Sequence, residues 1–95
     1  MMTPAELRAL SASEAAALSP PLQALWQDAH GDWAAAHSLV DELETSDAMR
    51  VHAYLHRKEG NAVNADYWYR HAGQPAFTGS LSAEWTALAT VLLNT

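Results

Sequence analysis

His52, His56 and Glu59 follow one another at intervals of four and three residues, within the run VHAYLHRKEGNAVNADYWYRHAG from Val51 to Gly73. On a helix that spacing turns all three side chains to one face. Two imidazoles one turn apart form a chelating pair for a divalent metal ion. The residue after His52 is Ala53, so the internal glutamate of a zinc-protease helix is missing. A third ligand has to come from another helix, with His37 and His71 as candidates, while Asp28, His30 and Asp32 crowd an earlier turn. The competing expectation is structural. A histidine beside an apolar stripe, here Val51 and Leu55, commonly bonds a carboxylate or carbonyl across a helix interface.

The same stretch offers a second chemistry. Arg57 and Arg70 could grip an anion or carboxylate as forks, with Asn61 or Asn64 supplying amides near a helix N-terminus. In the structural alternative, Glu59 pairs with a nearby arginine and Asn64 bonds freed backbone groups, fixing a hairpin angle. Tyr67, Trp68 and Tyr69 point about 100° apart on a helix, so three large rings cannot share one buried face. Trp68 and Tyr69 are the core candidates, which leaves Tyr67 at a rim, a groove or a subunit interface.

The density of this stretch stands out against the rest of the chain. It holds three of the five histidines, all three tyrosines and three of the five basic residues. Ninety-five residues suffice for one domain, and 49% apolar against 17% charged residues is a globular composition. The net charge of −6 is uneven: Arg8 alone opposes eight acidic residues up to Asp47, whereas four basic residues fall between Arg50 and Arg70. An acidic total argues against nucleic acid, which needs a concentrated positive surface. No apolar run approaches the ~20 residues of a bilayer span, and the N-terminus lacks the basic start and apolar centre of a signal peptide. A cytoplasmic protein is expected. There is no cysteine, hence no disulfide, thiolate ligand or cysteine nucleophile. The serines sit mostly at helix caps and ends without a Gly-rich elbow, and neither a phosphate loop nor a dinucleotide fingerprint is present. Nothing marks two carboxylates as facing each other.

The elements that must position these groups are helices. Thr3-Pro4-Ala5-Glu6 is a capping box with proline at the first turn. Ser11 with Glu14 reads as a second box that divides the Ala-rich arm, and Ser19-Pro20-Pro21 closes it. This arm has little apolar bulk and is expected to dock last and be the most mobile part. A helix from Leu22 to His30 buries Leu22, Leu25, Trp26 and Ala29. After Gly31, Asp32 caps a helix from Trp33 to about Glu44 that buries Trp33, Ala36, Leu39, Val40 and Leu43. Thr45-Ser46-Asp47 leads into a helix from Ala48 to Glu59. Gly60 and Asn61 then open another from Ala62 to Ala72, closed by Gly73. Beyond a loop, Ser80 caps a last helix carrying Trp85, Leu88, Val91, Leu92 and Leu93. No β-branched run alternates as a strand would.

Shifting the chain by 29 residues lays LWQDAHGDWAAAHSLV over YLHRKEGNAVNADYWY, with Gly31 on Gly60, Asp32 on Asn61 and Ala36 on Ala65. Each unit reads as helix, Gly-Asp/Asn break, helix, with a small residue where the two helices cross. The pattern Gly-Asp-Trp-x-x-Ala resembles the tetratricopeptide hairpin turn, although two units at this period are fewer and shorter than a regular array. The run HAYLHRKEGNAVNADYWYRHAG, with Gly31-Asp32-Trp33 and Ala36-His37 upstream and Ser80 to Trp85 downstream, resembles a family of small uncharacterised proteins. Their block reads approximately HAYLHRxEGDxxNAxYWYRxAG. That resemblance implies no activity; Asn61 departs from its aspartate, and both residues cap helices.

The sequence therefore predicts a single all-α domain of five or six helices. Its expected parts are an arm (1–20), two tetratricopeptide-like hairpins at the centre (21–45 and 46–73) and a packing helix (80–94). The expected function is non-enzymatic: an interaction or small-ligand module, for an anion among other ligands, with no cofactor and a protein or small-molecule partner. It would use a groove around His52, His56, Arg57, Glu59, Asn64, Tyr67 and Arg70. The alternatives are a metal-dependent enzyme or metal-binding protein using a divalent ion on His52 and His56, and a homodimer interface made of the same patch. Neither nucleic acid nor a membrane is expected as a partner.

Overall fold

Thr3 and Ser11 open the first two helices by the same exchange. Each hydroxyl accepts from the amide three residues on, and the glutamate there accepts from the capping residue's own amide. The computed structural model describes residues 2–94, and these hold α1 (Pro4–Ala9), α2 (Ala12–Ala15), α3 (Pro20–Ala29), α4 (Trp33–Val40), α5 (Ser46–Lys58), α6 (Ala62–His71) and α7 (Leu81–Leu93). No strand occurs among the described residues, and the chain is all-α. The seventh helix, against five or six expected, comes from the division of the arm at Ser11. None of the helices is long and apolar enough to cross a membrane.

Helices α3 and α4 form one hairpin and α5 and α6 a second. Their turns share one geometry. Gly31 and Gly60 take φ of 85° and 88°, a left-handed conformation open to glycine at little cost. Across these turns the amides of Asp32 and Asn61 donate to Gln27 O and His56 O, both at 2.9 Å. The Asp32 and Asn61 side chains then accept from Ala35 N and Asn64 N at 2.9 and 3.1 Å. The small residues at the crossings, Ala36 and Ala65, are both buried.

Three boundaries differ from the sequence reading. Helix α3 starts at Pro20 rather than Leu22, because the prolines expected to close the arm sit in the first turn of the next helix, where a missing amide costs nothing. Helix α4 stops at Val40 rather than near Glu44, and α5 starts at Ser46 rather than Ala48. Asp41, Glu42 and Glu44 would have extended the negative end of α4, where acidic side chains oppose the helix dipole. Thr45 instead caps α5, its hydroxyl accepting from Ala48 N at 3.2 Å.

Helix α5 is the centre of the molecule. It packs on α3, α4, α6 and α7, and every residue from Val51 to His56 is buried. Leu25, Val40, Val51 and Leu55 are fully buried, and so is Leu7 of α1. The N-terminal arm is thus tied into the core through Leu7, and Arg8 lies 4.4 Å over the Trp85 ring of α7. A smaller cluster of Ala53, Ala65 and Tyr69 joins α5 to α6.

Candidate metal centre

The α4–α5 packing brings His37 to the pair His52 and His56. One ring nitrogen from each of the three lies within 4.8 Å of the other two. His37 and His52 meet at their Nε2 atoms, 3.1 Å apart. The His52 and His56 rings stack with centroids 4.7 Å apart, as their one-turn spacing dictates. Of the two candidates for a third ligand, His37 is the one brought in. His71 donates from Nδ1 to Tyr67 O at 2.8 Å and lies against the exposed Tyr67 ring. His30 is taken by Arg8 O at 2.9 Å and stacks on Trp26.

One outer carboxylate bonds a ring and a second lies near another. His56 Nδ1 donates to Glu59 Oε2 at 2.5 Å, and His37 Nδ1 lies 4.0 Å from Asp41 Oδ2. Two tryptophans form the walls. Trp33 stacks on His37 at 4.9 Å and is itself pinned to α5, its indole N–H donating to Leu55 O at 2.8 Å. Trp68 stacks on His52 at 4.1 Å.

His52 is the anomalous member. It is 3% exposed, and its Nδ1 is buried with no hydrogen-bond partner among the described residues. A neutral imidazole carries one proton. If Nε2 donates to His37, Nδ1 is a bare lone pair; if Nε2 accepts, Nδ1 holds a proton with nowhere to donate it. Burial, reinforced by the neighbouring His56 and His37, pushes the His52 imidazolium down to about 4, so the ring is neutral at neutral pH.

The remaining sequence candidates lie elsewhere. Arg57 turns to α7, donating to Glu84 Oε1 at 2.9 Å and to Gly79 O. Glu59 pairs with His56 rather than with an arginine. Asn64, Tyr67 and Arg70 are exposed on α6, and the side chains of Asn64 and Arg70 have no hydrogen-bond partner among the described residues. The triplet divides as expected: Tyr69 is buried, Trp68 half-buried and Tyr67 48% exposed.

No family model, curated protein or solved structure matches the chain.

Two acids are buried on either side of α5; sequence reasoning named Asp28 only as crowding a turn and did not name Glu84. Asp28 of α3 accepts from Tyr54 OH at 2.6 Å and from Lys58 Nζ at 2.8 Å. Glu84 of α7 accepts from Arg57 and from Tyr69 OH. Each acid therefore has one phenol and one cation, which offsets the cost of burying the charge. The signal was present for Glu84, which stands with Leu81 and Leu88 on an apolar stripe at helical spacing. Asp41, Trp33 and Trp68 also belong to the site. Only the three-dimensional packing of α4 and α6 on α5 identifies their role.

Proposed function

We propose that the protein binds a divalent transition-metal ion through His37, His52 and His56, with zinc the best-suited ion. The observation that carries this reading is the convergence of three imidazoles: one ring nitrogen from each lies within 4.8 Å of the others, and Nε2 of His37 and His52 are 3.1 Å apart. The bond to Glu59 accounts for His56 and a single N–H···N bond for the His37–His52 pair, but neither requires all three rings to converge. Imidazole donors suit zinc, copper, nickel and iron, and magnesium prefers oxygen. Zinc–nitrogen bonds of about 2.0–2.1 Å in a tetrahedral site place ligand nitrogens roughly 3.4 Å apart. The His37–His52 separation of 3.1 Å is already close to that. Glu59 and Asp41, facing outer ring nitrogens, occupy the positions from which carboxylates orient metal-bound histidines.

Thermal unfolding of metal-stripped protein tests this. Zinc at a hundredfold excess over Kd should stabilise the fold by about 2.7 kcal/mol, magnesium should have no effect, and alanine at any of the three histidines should abolish the shift. An unchanged midpoint with zinc would remove the reading.

A second reading has support from α6. Val63 and Tyr67, one turn apart, are 83% and 48% exposed. That apolar strip favours an interaction surface for a protein or small-molecule partner, or for a second copy of the chain. The paired hairpins support the resemblance to tetratricopeptide units, which present such faces. Light scattering over a dilution series, with Tyr67→Ser as comparison, separates self-association from a monomer.

A further inference from the structure

Resting on the metal-binding reading, we infer that the ion keeps one coordination position for an exchangeable ligand, a water or a small anion that displaces it. Three side chains make up the cluster; no carboxylate or fourth imidazole joins it among the described residues, and the chain has no cysteine. Glu59 is committed to Nδ1 of His56, and the exposed Asp41 lies 4.0 Å from Nδ1 of His37, on the outer side of that ring and outside the cluster. Zinc with three protein donors completes its tetrahedron with solvent or substrate, whereas a purely structural site supplies four.

The burial of the three ligands sets the direction of approach. His52 and His56 are 3% and 7% exposed, but the His37 side chain is 26% exposed. The open position therefore faces the solvent side of the α4–α5 seam, where His37 forms the rim. Trp33 and Trp68 stack on His37 and His52 and bring flat, largely apolar surfaces beside the cluster, which favours a small ligand. Charge sets the ligand class. Three neutral imidazoles leave the dication uncompensated within its own coordination shell, which favours a monovalent anion with a lone pair, such as azide, thiocyanate or a small carboxylate. Binding is a substitution: the anion's lone pair replaces that of the water, the water leaves, and no electron changes hands. When water holds the position, the ion makes it more acidic, and this water is the part of the site able to act as a nucleophile.

Cobalt(II) loading of the stripped full-length protein, followed by azide titration, tests the inference. Visible d–d bands on loading report the ion in a low-coordinate nitrogen site, and their absence in His37→Ala ties them to the triad. Azide should then shift those bands saturably, with an equivalent shift by thiocyanate and none by the larger anion benzenesulfonate. Failure of cobalt and zinc to bind would remove the metal reading and this inference with it. Bands that appear on loading but do not respond to azide or thiocyanate would keep the metal site and overturn the open position.

Discussion

At the scale of single residues, Glu59 and Leu7 separate roles that burial alone would confuse. Glu59 is 37% exposed, yet it holds the Nδ1 proton of His56 and so fixes which nitrogen that ring turns toward His37 and His52. Glu59→Gln should leave helicity and melting of the metal-free protein nearly unchanged while weakening zinc binding by about 10- to 100-fold in a chelator competition. Equal zinc affinity in the variant would show that the carboxylate has no orienting role. Leu7 tests the opposite assumption, that an Ala-rich arm contributes little. Because its side chain is fully buried, Leu7→Ala should cost about 2–5 kcal/mol in urea unfolding. A loss below about 0.5 kcal/mol would mean that the arm is mostly undocked in solution. The sequence made His52 and His56 legible because one helical turn is enough to bring them together. It could not choose between His37 and His71, since that choice depends on the crossing of α4 over α5. The partners of Asp28 and Glu84 were hidden for a related reason: a phenol and a cation on other helices are matched to a buried acid only by the packing.

At the scale of elements, the two hairpin turns were readable in detail. Gly-Asp and Gly-Asn specify a left-handed residue followed by a capping side chain, and both are local chemistry. Gly31→Ala and Gly60→Ala should each cost about 1–2 kcal/mol, because a Cβ at either glycine meets nothing within 4 Å and only the backbone conformation is penalised. Equal costs by chemical denaturation would support the 29-residue repeat; a much larger cost at one site would break the equivalence. The end of α4 was not legible, because its apolar spacing continues through Leu43 while the acidic run beyond Val40 works against the helix dipole. The seams around α5 add a pH dependence. Burial, then the hydrogen bond to Asp28, raises the Tyr54 phenol well above its ordinary value; burial and Glu84 do the same for Tyr69. The unfolded phenols ionise near about 10, so this contribution to stability is intact below that pH and declines as pH rises past it. In an alkaline titration, phenolate absorbance from these two residues should appear together with loss of helical circular dichroism. Their ionisation in a fully helical protein would contradict the buried bonds, and Tyr54→Phe and Tyr69→Phe assign the signals.

At the scale of the whole molecule, α5 sends polar side chains to several of its neighbouring helices. One face gives His52 and His56 to the candidate centre, while Tyr54 and Lys58 reach Asp28 on α3 and Arg57 reaches Glu84 on α7. An all-α domain was predictable from composition and periodicity; the role of α5 as a hub was not, because it rests on polar side chains whose partners lie on other helices. The four tryptophans divide along the same lines. Trp33 and Trp68 lie against His37 and His52, whereas Trp85 bonds Leu25 O and Trp26 bonds Leu10 O, both away from the triad. The protein's own ultraviolet emission therefore comes from two pairs of fluorophores, one touching the candidate ligands and one remote from them. A paramagnetic ion held by the histidines would darken the first pair and spare the second, so the folded chain contains both a reporter of occupancy and its internal reference.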